Sequence, residues 1–467
     1  MEDELARTLN ARAAATAAAA PPAGGDRPLP GAGQRRVAII GGGWAGLAAA
    51  VEAVSLGHAV TLFEMAPALG GRARRLPATT AGLALDNGQH IFIGAYRETL
   101  RLMAAVGIEE SAVLRRMPLA LLDAEGRGLA LPSGPALPAF VRGVLAARGW
   151  SLRERFALLA AASGWLLRGF RCPPAISVAQ LTAALPLAVR QRLIEPLCVA
   201  ALNTPAEHAS AEVFLRVLRD ALFAGPGASD LLLPTVDLGA LWPDAAARWL
   251  GEHGAVVKTG QRVSALVRHG DAWRAEGSTF DAAVLACSAH EAARLAEPHA
   301  PLWASAARAL RHEPIVTVLL QSRGARLPQP VIALQSDDAA PAQYVFDLGL
   351  LRDAAREPGA AGTLAFVVSG AAAWVERGSE ATARAVAVQA AAQLGRFMPD
   401  APVLLGIWSE KRATFLCTPG LQRPEARVGS GQPALHAAGD YIAGPYPSTL
   451  EGAVRSGVTA ARAVVTT

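Results

Sequence analysis

Lysine is almost missing from this chain. Lys258 and Lys411 are its only two, so nearly all of the positive charge is arginine. The formal net charge is +5, yet no Lys/Arg cluster is interleaved with aromatic residues, so no nucleic-acid partner is expected. The arginine bias, with abundant Ala, Gly and Pro, fits a GC-rich coding sequence. Cysteine is sparse as well. Cys172, Cys198, Cys287 and Cys417 lie far apart, with no CxxC pair and no histidine at ligand spacing. That pattern argues against a disulfide framework and a metal site, and it favours a reducing, cytoplasmic compartment. No apolar run reaches the roughly 20 residues of a membrane span. Even so, apolar residues make up 52% of the chain and charged residues only 18%. The expectation is a soluble fold with an unusually apolar pocket or surface. A peripheral contact with an anionic membrane face stays open.

At 467 residues the chain exceeds what one core usually serves, so two domains are expected. Residues 1–34 are Ala/Pro/Gly-rich and low in complexity, and are expected to lack a fold beyond fleeting helix over 4–20. They show no basic start followed by an apolar core, so they do not read as a secretory signal. "QRRVAIIGGGWAGLAAA" has the outline of a twin-arginine signal, but its glycines have a better use.

That use is a βαβ unit from Arg35 to Leu76. Val37 to Ile40 is a short apolar run suited to a buried parallel strand. Gly41, Gly43 and Gly46 form GxGxxG, Trp44 to Leu56 reads as a helix, and His58 to Phe63 reads as a second strand that ends at Glu64. Gly41 makes the tight turn, Gly43 lets backbone approach a pyrophosphate, and Gly46 permits close helix–strand packing. The helix N-terminus at Trp44 and Ala45 offers free N–H groups to phosphate. Glu64 stands at the right distance to accept from a ribose hydroxyl. NAD and FAD both satisfy this pattern.

The residues after Glu64 discriminate between them. "EMAPALGGRAR" carries Gly70, Gly71 and Arg72, and it resembles the second nucleotide-proximal motif of the flavin amine oxidase superfamily. The resemblance implies FAD, with Gly71 and Arg72 at its pyrophosphate. It implies that Val263 gives the backbone contact to adenine, within a late strand pair spanning 254–289. It places Gly439 and Asp440 at the ribityl chain, and directs the N-terminus of a helix opening at Leu450, with Ser456-Gly457 inside it, toward the flavin carbonyl. The chain has no second GxGxxG, so an external donor is expected to supply electrons. The superfamily's amine oxidases carry a flavin-facing lysine on a strand that corresponds to "PIVTVLLQ" (314–321), which has none.

Three further stretches narrow the resemblance: "LDNGQHIFIGAYRETLRLMAAVG", "PLCVAALNTPAEHASAEVFLRVLRD" with "ASDLLLPTVDLGAL" after it, and "TLEGAVRSG". Together they resemble the squalene-associated flavoproteins, the hydroxysqualene dehydroxylase family, from Arg36 to the C-terminus. The resemblance implies a triterpenoid lipid substrate, hydroxysqualene, whose hydroxyl is replaced by a hydride from reduced FAD to give squalene, a step of hopanoid and squalene synthesis. Alternatives are a carotenoid or squalene desaturase, an amine oxidase, and a non-catalytic isoprenoid-binding protein of the same fold.

The turn in "LDNGQHIFIG" would pass under the flavin ring, with Gly88 allowing close backbone approach. His90, Gln89 and Asp86 are the catalytic candidates, with His90 first as proton donor because histidine titrates near neutral pH. Tyr446 and Glu451 are alternatives, and His208 is a weaker one. The apolar stretch from Arg153 to Phe170 reads either as a membrane-dipping entry helix or as a buried helix of the substrate domain. The expected fold class is α/β: an FAD-binding Rossmann-type domain (35–107, 232–289 and 424–467) interleaved with an α+β substrate domain of the amine oxidase type (108–231 and 290–423).

Overall fold

The computed structural model describes residues 33–76, 83–353, 355–430 and 434–466. Residues 35–467 form one compact unit. The expectations for residues 1–32 lie outside the described residues.

The βαβ unit forms where the glycines predict it. Strand β1 (Arg36–Ile40) leads through Gly41–Gly43 into helix α1 (Trp44–Ser55), which returns through β2 (Ala59–Phe63). The two strands run parallel, with Val37 opposite Val60 and Ile39 opposite Leu62. They continue into β3 (Val256–Lys258) on one side and β4 (Ala282–Leu285) on the other, with the strand Leu435–Ala437 beyond β4. All four pairings in this five-stranded sheet are parallel. Burial on both faces explains the near-continuous apolar runs. The stretch between β3 and β4 makes a separate three-stranded antiparallel sheet.

Small residues set the packing of α1. Ala48, Ala49 and Ala50 are fully buried, so the C-terminal helix (Leu450–Thr466) lies close against them. Gly457 sits at that crossing, where an added Cβ would stand 2.2 Å from the Ala45 carbonyl oxygen. Close approach brings both helix N-termini to the same end of the sheet.

A second sheet is built around β5 (His312–Gln321), which pairs antiparallel with Thr363–Val368 and Val403–Phe415. Its residues alternate in the way a strand dictates. Val316, Val318 and Leu320 join the core under the helix Ser379–Leu394, while Ile315 and Thr317 face a cavity on the other side. Helices Glu195–Leu202 and Ala211–Phe223 close that cavity from outside the sheet. The Arg153–Phe170 stretch forms the helix Leu152–Leu167, with Ser151 as a capping box to Glu154. The helix packs on the core by one face, through Leu158, Trp165 and the half-buried Ala157, Leu159, Ala161 and Ala162, and leaves the opposite face exposed, so it is not a fully buried helix. Among the described residues, no helix is long and apolar enough to cross a membrane.

Candidate active site

One cavity of about 750 Å³ runs from the glycine turn of the parallel sheet to the antiparallel sheet. At its first end, Gly41 has φ +116°, which only glycine holds readily, and an added Cβ would stand 2.5 Å from the Ala286 carbonyl oxygen. A Cβ on Gly46 would stand 1.8 Å from the Gly41 oxygen, so this glycine is required by packing. Gly43 differs. It pairs with Gly70 in an isolated bridge, and a Cβ there would meet only Gly71, so its free face belongs to the cavity. Helix α1 has no side-chain cap and no acid in its first turn, and Gly43, Trp44 and Ala45 line the cavity. A cradle of glycine backbone at an uncapped helix N-terminus suits a diphosphate.

The rest of the nucleotide end converges on the same wall. Glu64 accepts from the amides of Gly42 (2.6 Å) and Ala66 (2.7 Å), which fixes its carboxylate and leaves lone pairs for a ribose hydroxyl. Gly71, Arg72, Val263, Gly439, Asp440 and Leu450 also line the cavity. Arg72 donates to Asp440 at 2.5 Å and to the Ala413 carbonyl at 2.6 Å, so the two residues expected at different parts of the dinucleotide are joined. Ser456 accepts from the Gly439 amide at 2.8 Å, tying the Gly-Asp pair to the C-terminal helix. The glycine cradle, the fixed acid and the Arg72–Asp440 pair fit FAD.

The 85–90 turn is held from three sides. Arg74 and Leu76 exchange backbone hydrogen bonds with Asn87 and Leu85. The Asn87 amide group donates to the Arg72 carbonyl (2.9 Å) and to Glu410 (3.0 Å) on the antiparallel sheet. Gly88 has φ +93°, and its nearest neighbour for an added Cβ is Thr317 Oγ1, at 4.0 Å. Gln89 and His90 lie on the cavity wall.

The expected acid and base roles need three corrections. Burial and the Arg72 charge push His90 down to about 4, against a hydrogen bond with the Asn87 backbone, which favours the neutral imidazole at neutral pH and counts against His90 as the leading proton donor. Its Nε2 is buried without a partner. Asp86 lies off the cavity wall. Its carboxylate accepts from the Leu238 amide (2.7 Å) and from Arg352 (2.6 Å), and burial pushes it up to about 7 against both. It supports the turn from behind. Glu451 is fully buried and off the wall too, where it accepts from the Glu98 and Thr99 amides, the Thr99 hydroxyl and Arg455. Tyr446 does line the cavity, while His208 is exposed and off the wall.

Several wall residues escaped sequence reasoning. Thr317, Tyr344 and Glu410 arrive from different strands, and Asn203 sits at a helix end with φ +46°. Arg352, the partner of Asp86, is distant in sequence from the turn it holds. No spacing rule joins these positions. The far end of the cavity is aliphatic, with Leu121, Leu197, Val217, Leu222, Ile315 and Val367 among its lining.

The chain is 26% identical over 465 residues to a hydroxysqualene dehydroxylase of Sinorhizobium fredii, covering 91% of this chain and 97% of that one. It is 38% identical over 80 residues to a zeta-carotene desaturase of Zea mays, covering 17% of this chain and 14% of that one. Among solved structures it is similar in fold to cyclohexylamine oxidase from Brevibacterium oxydans, with a TM-score of 0.66 and 17% identity, covering 93% of this chain and 99% of that one. Residues 44–465 match the family model for flavin containing amine oxidoreductases. The chain therefore belongs to that family, and it is an FAD-dependent oxidoreductase.

Proposed function

We propose that this oxidoreductase works in the reductive direction, taking the hydroxyl from hydroxysqualene to give squalene within squalene and hopanoid synthesis. The carrying observation is the single cavity whose one end is a dinucleotide cradle and whose other end is aliphatic. A long uncharged isoprenoid suits such a chamber because each buried CH₂ favours binding by about 0.8 kcal/mol. The full-length similarity to a hydroxysqualene dehydroxylase supports the same reading, whereas the desaturase match covers 17% of the chain. No lysine lines the cavity among the described residues, which disfavours amine chemistry of the lysine-dependent kind.

When bound, reduced FAD supplies the hydride; the alcohol and two reducing equivalents become the alkene and water. The protein holds the cofactor with Gly43, Glu64, Gly71, Arg72, Val263, Asp440 and the Leu450 helix end. Gln89 and the neutral His90 present hydrogen-bonding groups at the seam between cofactor and lipid. Asp86 and Arg352 position them. The phenols of Tyr446 and Tyr344 line the cavity; burial pushes both up, so each is a hydrogen-bond donor toward the departing hydroxyl rather than a strong acid. Electrons come from an external donor, since one dinucleotide fingerprint serves the whole chain. The site of action is cytoplasmic, at the inner face of the membrane that holds the lipid.

The test is anaerobic incubation of the enzyme with reduced FAD and hydroxysqualene, followed by lipid extraction. Squalene is expected. Phytoene desaturation under oxidising conditions, with no squalene in the reductive assay, would transfer the reading to a desaturase. A purified chain that is colourless and takes up no FAD would leave a lipid-binding role.

A further inference from the structure

The surface outside the aliphatic chamber gathers several exposed apolar side chains. Helix Leu152–Leu167 turns Leu152, Phe156, Ala160, Ser163 and Leu167 to one side, at the spacing of successive helical turns, and all five are exposed. Leu167 is 88% exposed, Leu152 66% and Phe156 59%, values that a core or pocket role does not explain. The helix packs against Ala136–Ala146, which exposes Leu137 and Leu145, and against the short helix Leu187–Val189, which exposes Leu187. The exposed apolar side chains thus lie on three adjoining helices.

The charge around this face is one-sided. Residues 136–194 hold Arg142, Arg148, Arg153, Arg155, Arg168, Arg171, Arg190 and Arg192 against a single acid, Glu154. That exceeds the +5 of the entire chain, so the remainder is on balance acidic. Elsewhere about half of the described arginines pair with acids, as in Arg36–Asp281, Arg116–Glu110, Arg127–Asp123 and Arg462–Glu52. None of the eight forms such a pair among the described residues.

Two of these helices back the chamber, and Phe170, just past the end of the third, reaches toward it. Ala136–Ala146 packs on Ala211–Phe223, whose inner side lines the cavity, and Phe223 is in ring contact with Phe140 (5.8 Å) and Phe170 (5.3 Å). Leu187–Val189 runs through the π-helical turn Arg190–Ile194 into Glu195–Leu202, another chamber wall.

We propose that this face docks on an anionic lipid bilayer, with the leucines and Phe156 entering the acyl boundary and the unpaired arginines meeting acidic headgroups. Exposed apolar side chains flanked by arginine give both contributions that interfacial binding needs. The proposal deepens the lipid-substrate reading and rests on it for its purpose: it places the chamber next to the phase in which an isoprenoid dissolves.

Co-sedimentation of the FAD-loaded protein with phosphatidylcholine vesicles, with and without phosphatidylglycerol, tests it. Binding is expected only with phosphatidylglycerol, weakening as salt rises. Two triple variants, Leu152→Ser/Phe156→Ser/Leu167→Ser and Arg153→Gln/Arg168→Gln/Arg171→Gln, are each expected to lower vesicle partitioning about tenfold or more. Bound FAD and turnover of detergent-dispersed hydroxysqualene should stay unchanged. Equal partitioning of wild type and variants would overturn the proposal. So would a wild-type dimer in solution that the leucine variant converts to monomer, since the face would then serve a second copy. Vesicle binding is read without turnover, so a failed squalene assay leaves this test standing.

Discussion

The two ends of the cavity are built by different means. The nucleotide end is mostly backbone: Gly41, Gly43, Gly46, Gly70 and Gly71 shape it, and an uncapped helix N-terminus supplies its polarity. The chamber end is mostly side chains, delivered one or two at a time by strands and helices far apart in sequence. At Gly41, Gly46 and Gly70 the cradle's own backbone leaves no room for an added atom. A side-chain chamber can lose a methyl group and still close around a flexible lipid.

Substitutions should reveal that difference. Gly46→Val should do the most damage, because its first added carbon would already meet the Gly41 oxygen at 1.8 Å. Loss of soluble, yellow protein is expected, read from yield and flavin absorbance; a normal flavin content would break the claim that the cradle is intolerant. Arg352→Met should come next. It leaves Asp86 as a buried acid without its cation, at a cost of about 3–5 kcal/mol in denaturant unfolding of the FAD-loaded enzyme. Asp86→Asn combined with Arg352→Met should recover part of that loss.

Ile315→Ala, at the chamber, removes three carbons worth up to about 0.8 kcal/mol each, so it should raise KM for the lipid by about tenfold or more and leave FAD affinity unchanged. An equal loss of FAD affinity would show that the two ends are not separable.

The effect confined to acid pH concerns His90. Its folded value is about 4 against 6.5 in the unfolded chain. Between those values the unfolded state holds a proton that the folded state lacks, so acidification through this window costs stability. His90→Gln should remove that share of the acid sensitivity and keep FAD bound, as measured by thermal unfolding at pH values across the window. An unchanged pH dependence would contradict the buried, neutral imidazole.

The contrast also explains what could be read from the sequence. The βαβ unit, Glu64 and the C-terminal Gly439-Asp440 with its helix were legible because each job falls to residues within one turn or one strand. Trp44–Ser55 and Ala59–Phe63 appear close to where the glycines and apolar runs place them. The 85–90 turn was legible as a turn, through Asn87-Gly88. Its electrostatics were not, because Arg72, Leu238, Arg352 and Glu410 reach it from four other segments. His90 looked like an acid only while its surroundings were unknown, and Asp86 looked catalytic until its carboxylate proved to be occupied from behind. The Leu152–Leu167 helix shows the same limit. Its composition admitted a core helix or a surface one, and only its exposed side chains separate the two.

A single-turnover measurement tests the central claim, that one cavity brings reduced flavin and isoprenoid alcohol together. FAD on the enzyme is reduced chemically without oxygen, hydroxysqualene is added, and flavin absorbance and lipid products are followed together. The oxidised flavin spectrum is expected to reappear with one squalene formed per flavin. A flavin that stays reduced until oxygen is admitted, with the alcohol recovered intact, would contradict it.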